Sequence, residues 1–268
     1  LDITDPEAFG VDKVMWEFTD KDDPDVGNIT SQPKIAKVKR NGKTEYFIVV
    51  SGGYNNYQND GKSNNVGDGY IFMLSVNKPQ AAAWALGDNY FKFKLPITDA
   101  AGANGVGGVS VDTDNAGFTT ALFAGDLQGN LWKVIFPSDK DDPSFWKLSH
   151  GDTPFAIFSD PLKGERQPVM AEPTLVAGPG KTTVVVVGTG RLLTISDLAD
   201  SQPQTVYGIW DVNNKNVSGT NARTRLKSRS VWVEGAQRVI GYEDINALKP
   251  EGDFVYGTTE PSKQGWYF

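Results

Sequence analysis

Residues 107–136 read GGVSVDTDNAGFTTALFAGDLQGNLWKVIF. Three strand-forming runs, GGVSVDT, TALFAGD and GNLWKVIF, follow one another along this stretch, with a polar hairpin, DTDNAGFT, between the first two. Short runs rich in β-branched and aromatic residues, bounded by Gly, Asn or Asp, are the signature of buried or half-buried strands. Helical periodicity is nearly absent from the rest of the chain. Only ISDLADS (195–201) and YEDINALK (242–249) could make a turn or two.

Outward from this stretch, the same order recurs on both sides. A strand enters as QPKIAKV or EPTLVAG, a polar hairpin follows as KRNGKTE or GPGKTT, and an apolar strand ends in small residues as VVSGG or VVGTG. An aromatic strand then closes the unit, YIFMLSVN or YGIWDVN. The strongest runs are YFIVVSGG (46–53), GYIFMLSV (69–76), TALFAGD (120–126), GNLWKVIF (129–136), TVVVVGTG (183–190) and TVYGIWDV (205–212). Such an array predicts an all-β protein whose four-stranded sheets pack face to face as propeller blades. Glycines would let neighbouring backbones approach, and Trp132 and Trp210 would fill the space between sheets. Insertions such as YNNYQNDGKSNNVGDG (54–69) make the spacing irregular, and a β-sandwich is the alternative architecture. A single propeller domain over residues 1–268 is the reading adopted.

Composition agrees with this. The chain has 268 residues, 29 Gly and 15 Pro with 39% hydrophobic residues, a turn-rich makeup that suits many short strands. Its net charge of −7 works against binding to nucleic acid or anionic lipid, which is driven by neutralising phosphate. It has no cysteine, so a disulfide framework, a thiol nucleophile and a Cys-based metal site are all excluded. No 18-residue apolar run predicts a membrane-spanning helix. The first residues, LDITDPEAFG, lack both Met and the features of a signal peptide, and the abrupt start is what a fragment or processed piece would show.

Asp- and Asn-rich loops at 19–28, 138–144 and 211–219 read as solvated turns that cap their own backbone. Of these, 19–28 is the acidic loop best placed to hold a cation that no motif foretells. The stretch NARTRLKSRS (221–230) carries Arg223, Arg225, Lys227 and Arg229 at period two. On a strand this would be a charged edge, or a basic stripe facing a carboxylate-rich partner. His150, the lone histidine, falls in the turn KLSHGDTP and reads as an exposed loop residue rather than a catalytic one. VVVVGTGR lacks the full glycine pattern and the following helix of a phosphate loop. No catalytic residue is assigned.

The DTDNAGFTT stretch (112–120) begins as an EF-hand-type calcium loop does, with acids at positions one and three and glycine at six. Positions five and nine are Ala116 and Thr120, and position twelve is Phe123. The alternative is an ordinary hairpin whose Asp112 and Asp114 accept backbone amides.

Several stretches together resemble one family. VMWEFTD (14–20), SGGYNN (51–56), VSVDTDNAGFTTALFAGDLQGNLWKV (109–134), GERQPVMAEPTLV (164–176), VVVGTGRLLTISDLAD (185–200), QTVYGIWDV (204–212) and the closing GWYF (265–268) stand in the order found in the C-terminal domain of the PilY/PilC proteins of type IV pili. Residues 213–264 are less distinctive. The resemblance implies a modified β-propeller related to quinoprotein propellers. It implies export to the bacterial cell surface, the outer membrane or the pilus tip, and support of pilus extension against retraction, of twitching motility and of adhesion. Pilus subunits or minor pilins and a host-cell surface ligand are the partners it implies. Within it the 112–120 loop corresponds to a calcium loop, with Asp112 and Asp114 as carboxylate ligands, Phe118 as carbonyl ligand and Thr120 as a weak hydroxyl ligand. Calcium takes six to eight oxygens, so a set this small implies calcium binding that is weak or absent. No organic cofactor is expected. The competing reading is a quinoprotein-like dehydrogenase, whose usual vicinal cysteine pair the composition rules out.

Overall fold

The computed structural model describes residues 1–57, 67–99, 102–160, 162–212, 217, 221–241 and 263–268. The first sheet is an antiparallel meander of β1 (Lys34–Arg40), β2 (Lys43–Ser51), β3 (Gly69–Ser75) and β4 (Tyr90–Leu95). Its first turn shows how local sequence dictates geometry. Arg40 pairs with Lys43, so Asn41 and Gly42 form a two-residue loop, and both have positive φ, +50° and +75°. Asn-Gly tolerates that conformation, which matches the twist of the flanking strands.

The second sheet contains β5 (Val106–Thr113), β6 (Thr119–Asp126), β7 (Asn130–Ile135) and β8 (Lys147–Leu148), with β9 (Ala156–Ile157) also pairing to β7. The register of β5 against β6 shifts between Val106 and Val109. There Gly107 and Gly108 lie against the backbone of Met170 and Glu172, leaving no room for a side chain. The third sheet runs β10 (Thr174–Ala177), β11 (Thr183–Gly188), β12 (Val206–Asp211), then β16 (Gly265–Tyr267) and β13 (Lys227–Ser228). β14 (Ser230–Glu234) and β15 (Gln237–Gly241) form a separate hairpin.

Side chains alternate between two cores. Leu122 and Ala124 of β6 join Ala36, Phe47, Ile71 and Trp132 between the first and second sheets. Ala121 and Phe123 join Val185, Tyr207 and Ile209 between the second and third. A strand buried on both faces needs a continuous apolar run, which is why TALFA shows no alternation. Each fully buried large side chain contributes about 1.5–3 kcal/mol. The far face of the first sheet (Val50, Tyr70, Phe72, Leu74 and Tyr90) packs against Trp16, Phe18 and Val26 of the N-terminal segment.

Each of the strongest predicted runs is a strand, with ends within three residues of those expected. Three expectations need correction. Trp132 lies between sheets, but Trp210 faces away from the second core, and its indole N–H donates to Thr182 at 2.7 Å. Residues 222–225 form a 3-10 turn rather than a strand, so the period-two stripe does not exist. There Arg223 turns inward, bonding the Ser159 carbonyl at 3.0 Å and lying 4.4 Å from the Tyr267 ring centroid. The 19–28 loop is not simply solvated, because Asp23 and Asp25 are 2% and 6% exposed. ISDLADS makes a 3-10 turn at Ile195–Ala199, whereas 242–249 and most of 211–219 lie outside the described residues.

Candidate functional site

The 112–120 hairpin joins β5 to β6, and the structure places each of its predicted ligands. Asp114 Oδ1 accepts the amides of Ala116 and Phe118, both at 2.9 Å. The Phe118 carbonyl accepts the Asp114 amide at 2.8 Å, and Gly117 makes the turn at φ +77°. Asp112 looks elsewhere: its Oδ2 accepts the Thr183 hydroxyl of β11 at 2.7 Å, and its Oδ1 the Thr113 amide at 3.1 Å. Thr120 lies in β6, where its carbonyl accepts Phe136 N–H at 2.9 Å. The hairpin brings Asp114 and Phe118 together and sends Asp112 toward the third sheet. Among the described residues, no three His, Cys, Asp or Glu side chains converge in a way that could hold a metal ion.

Two partners of this hairpin had no signal in the local sequence. Lys37 of β1 donates its ammonium to the Ala116 carbonyl at 2.9 Å and lies 4.2 Å from the centroid of the Phe118 ring. Lys39 approaches the same ring at 5.2 Å. The hairpin is therefore held from the first sheet by Lys37 and from the third by Thr183.

The other end of β6 carries a fully enclosed carboxylate. Asp126 is 0% exposed and receives five N–H bonds. Oδ1 accepts the Gln128 and Asn130 amides at 2.9 Å. Oδ2 accepts Asn104 and Asn130 side-chain amides at 2.9 Å and the Trp132 indole at 2.6 Å. Burial pushes this carboxyl above its ordinary range, opposed by the donors, which favour the anion. The pattern D-L-Q-G-N-L-W could have disclosed it: an Asp closes its own turn through Gln128 and Asn130, and Gly129 supplies the positive φ of +72°. Gln128 then reaches out, bonding the amides of Thr98 and Asp99 and the carbonyls of Asp99 and Gly102.

A third acidic group pins the N-terminal segment to the first sheet. Asp23 takes the Lys92 ammonium at 2.8 Å and the Tyr90 hydroxyl at 2.9 Å, and Lys92 also pairs with Asp25. Burial, with Asp25 near Tyr70 and Asp23 near Tyr90, pushes both phenols above their ordinary range. Asp68 pairs with Lys94 at 2.7 Å. Between the second and third sheets, Lys133 and Asp211 form a further enclosed pair at 2.7 Å, with side chains 6% and 11% exposed. His150 sits in its predicted turn, half-buried, with Nδ1 2.7 Å from the Ser149 hydroxyl.

Sheets of four or five mostly antiparallel strands packed face to face are the blades of a β-propeller. The chain matches the family described as the PilY1 beta-propeller domain over residues 8–228, and it belongs to that family. It is 29% identical over 275 residues to a type IV pilus biogenesis factor PilY1 homolog of Xylella fastidiosa, covering 100% of this chain and 17% of that protein. It is also 29% identical over 300 residues to type IV pilus biogenesis factor PilY1 of Pseudomonas aeruginosa, covering 99% of this chain and 24% of the relative. The crystal structure of the Pseudomonas aeruginosa PilY1 C-terminal domain superposes with a TM-score of 0.69 at 25% identity, covering 100% of this chain and 55% of that one. The chain thus spans about a fifth of the length of the curated relatives it matches.

Proposed function

We propose that this chain is the propeller part of a type IV pilus biogenesis factor, acting at the bacterial surface or pilus tip through contacts with pilus subunits. In this role it opposes pilus retraction, and it supports adhesion to host-cell surfaces as a second activity. The observation that carries the reading is the family match over 8–228, with relatives named as type IV pilus biogenesis factors. A binding rather than catalytic role is supported by the way enclosed polar groups are engaged. Asp126, Lys133 and Gln167 are each held by protein partners that join one sheet or segment to the next.

The test is an in-frame deletion of residues 8–228 in the bacterium that encodes the protein, with its level followed by immunoblot. Surface pili are expected to be lost while retraction is active and to return when the retraction motor is disabled. Normal piliation from a stable truncated protein refutes the reading. Beads coated with the chain should adhere to host cells more than beads coated with albumin, and equal adherence removes the second activity.

A further inference from the structure

We propose that the 112–120 hairpin is closed by a cation that the chain itself supplies, the Lys37 ammonium, and that it holds its shape without calcium. An EF-hand-type loop converges the oxygens of positions one, three, five, seven and nine on one point. Here those oxygens diverge. Position one, Asp112, is turned to Thr183 of the third sheet. Position three, Asp114, uses Oδ1 for two amides of its own turn. Position five, Ala116, has only its carbonyl, and Lys37 occupies that at 2.9 Å. The position-seven carbonyl, Phe118, accepts the Asp114 amide, and position nine is the neutral Thr120. The residues present do not fit calcium, which needs six to eight converging oxygens.

Lys37 does what a bound cation would do for this turn. Its ammonium holds a carbonyl at the tip, and it lies 4.2 Å from the Phe118 ring, a cation–π distance. A fixed positive charge at the tip also repels any second cation. Because Lys37 belongs to β1 and the hairpin to the second sheet, the contact spans 79 residues of sequence and clamps one blade to the next. Asp112 and Thr183 extend the clamp to the third.

The experiment uses the whole chain. Hydrogen exchange at Ala116, Gly117 and Phe118 is measured in calcium and in chelator, for the wild type, Lys37→Met and Phe118→Leu. Lys37→Met keeps the apolar stem and removes only the charge. Wild-type exchange should be the same in both media, and Lys37→Met should speed it roughly fivefold in both, as loss of one charge-assisted contact implies. Phe118→Leu, which removes the ring but not the carbonyl bond, should speed it about twofold. Calorimetry of the wild type with calcium should give no binding tighter than roughly millimolar. A micromolar affinity, protection by calcium alone, or wild-type exchange in Lys37→Met would each overturn the proposal.

Discussion

β6 begins and ends in aspartate turns of opposite character. At its start, Asp112 and Asp114 sit at an open rim, where water can reach the carboxylates and each is also bound by the chain. At its end, Asp126 is sealed between blades with five N–H donors around it. The residue type is the same, and both ends make the same kind of local Asx bond two residues on. What differs is the company around each carboxylate. Asn104 and Trp132 close over one carboxylate, while Lys37, Lys39 and Thr183 reach the other hairpin. A rim aspartate that loses its protein partner can fall back on water, and a sealed one cannot.

Removing each carboxylate should make that contrast measurable by urea denaturation. Asp126→Ala strands two side-chain amides and an indole N–H in the interior, and a loss of about 3–5 kcal/mol is expected. A loss below about 1 kcal/mol would mean that the turn opens to water. Lys133→Ala comes next, because it leaves Asp211 enclosed without its counter-charge and should cost about 3 kcal/mol. Lys133→Met combined with Asp211→Leu should recover most of that, since an apolar pair of similar volume avoids desolvating two ions. Gly125→Ala drives a methyl into the Val169 side chain and should cost about 1–3 kcal/mol through overpacking. At the rim, Asp114→Ala should cost only about 1 kcal/mol, because solvent replaces the lost acceptor.

The smallest effect separates the two kinds of turn by pH. Asp197 accepts the Leu193 and Thr194 amides, and these bonds, with Arg191 nearby, hold its carboxyl below the ordinary range. Its contribution is therefore present above about pH 4 and lost as pH falls through the lower folded value. Exchange at Leu193 and Thr194, corrected for intrinsic rate, should quicken below that point. Asp126 works with the opposite sign. Burial raises its pKa, so the cost of holding it ionised is relieved by acid and grows as pH rises through the raised value. Exchange at Gln128 and Asn130 should not quicken over the range in which the Asp197 turn opens. Parallel opening of both turns would erase the distinction.

Much of the architecture was legible before any coordinates. YFIVVSGG, GYIFMLSV and TVVVVGTG announce buried strands by their length and their glycine ends, and Asn41-Gly42 announces its own turn. The strand at Tyr90–Leu95 escaped because its aromatics alternate with lysines, and those lysines are in fact ion-paired to Asp23, Asp25 and Asp68. The fourth strand of the third sheet escaped for another reason. Between the end of β12 and the start of β16 stand 53 residues (212–264), and nothing in local propensity says that GWYF should return there. The period-two arginines misled because side-chain direction follows the backbone conformation, and residues 222–225 are wound as a 3-10 turn.

Most of the strands, the tight turns and the family were readable in the chain alone, because these rest on short-range rules: alternation, left-handed glycines and an Asp that caps its own turn. Only the tertiary structure decided which aspartates are sealed and which are open. It also decided that the 112–120 oxygens point apart, because Lys37 and Thr183 come from sheets 79 and 71 residues away. Burial and convergence are properties of segments meeting in space, and a hairpin's own residues cannot encode what will stand opposite them.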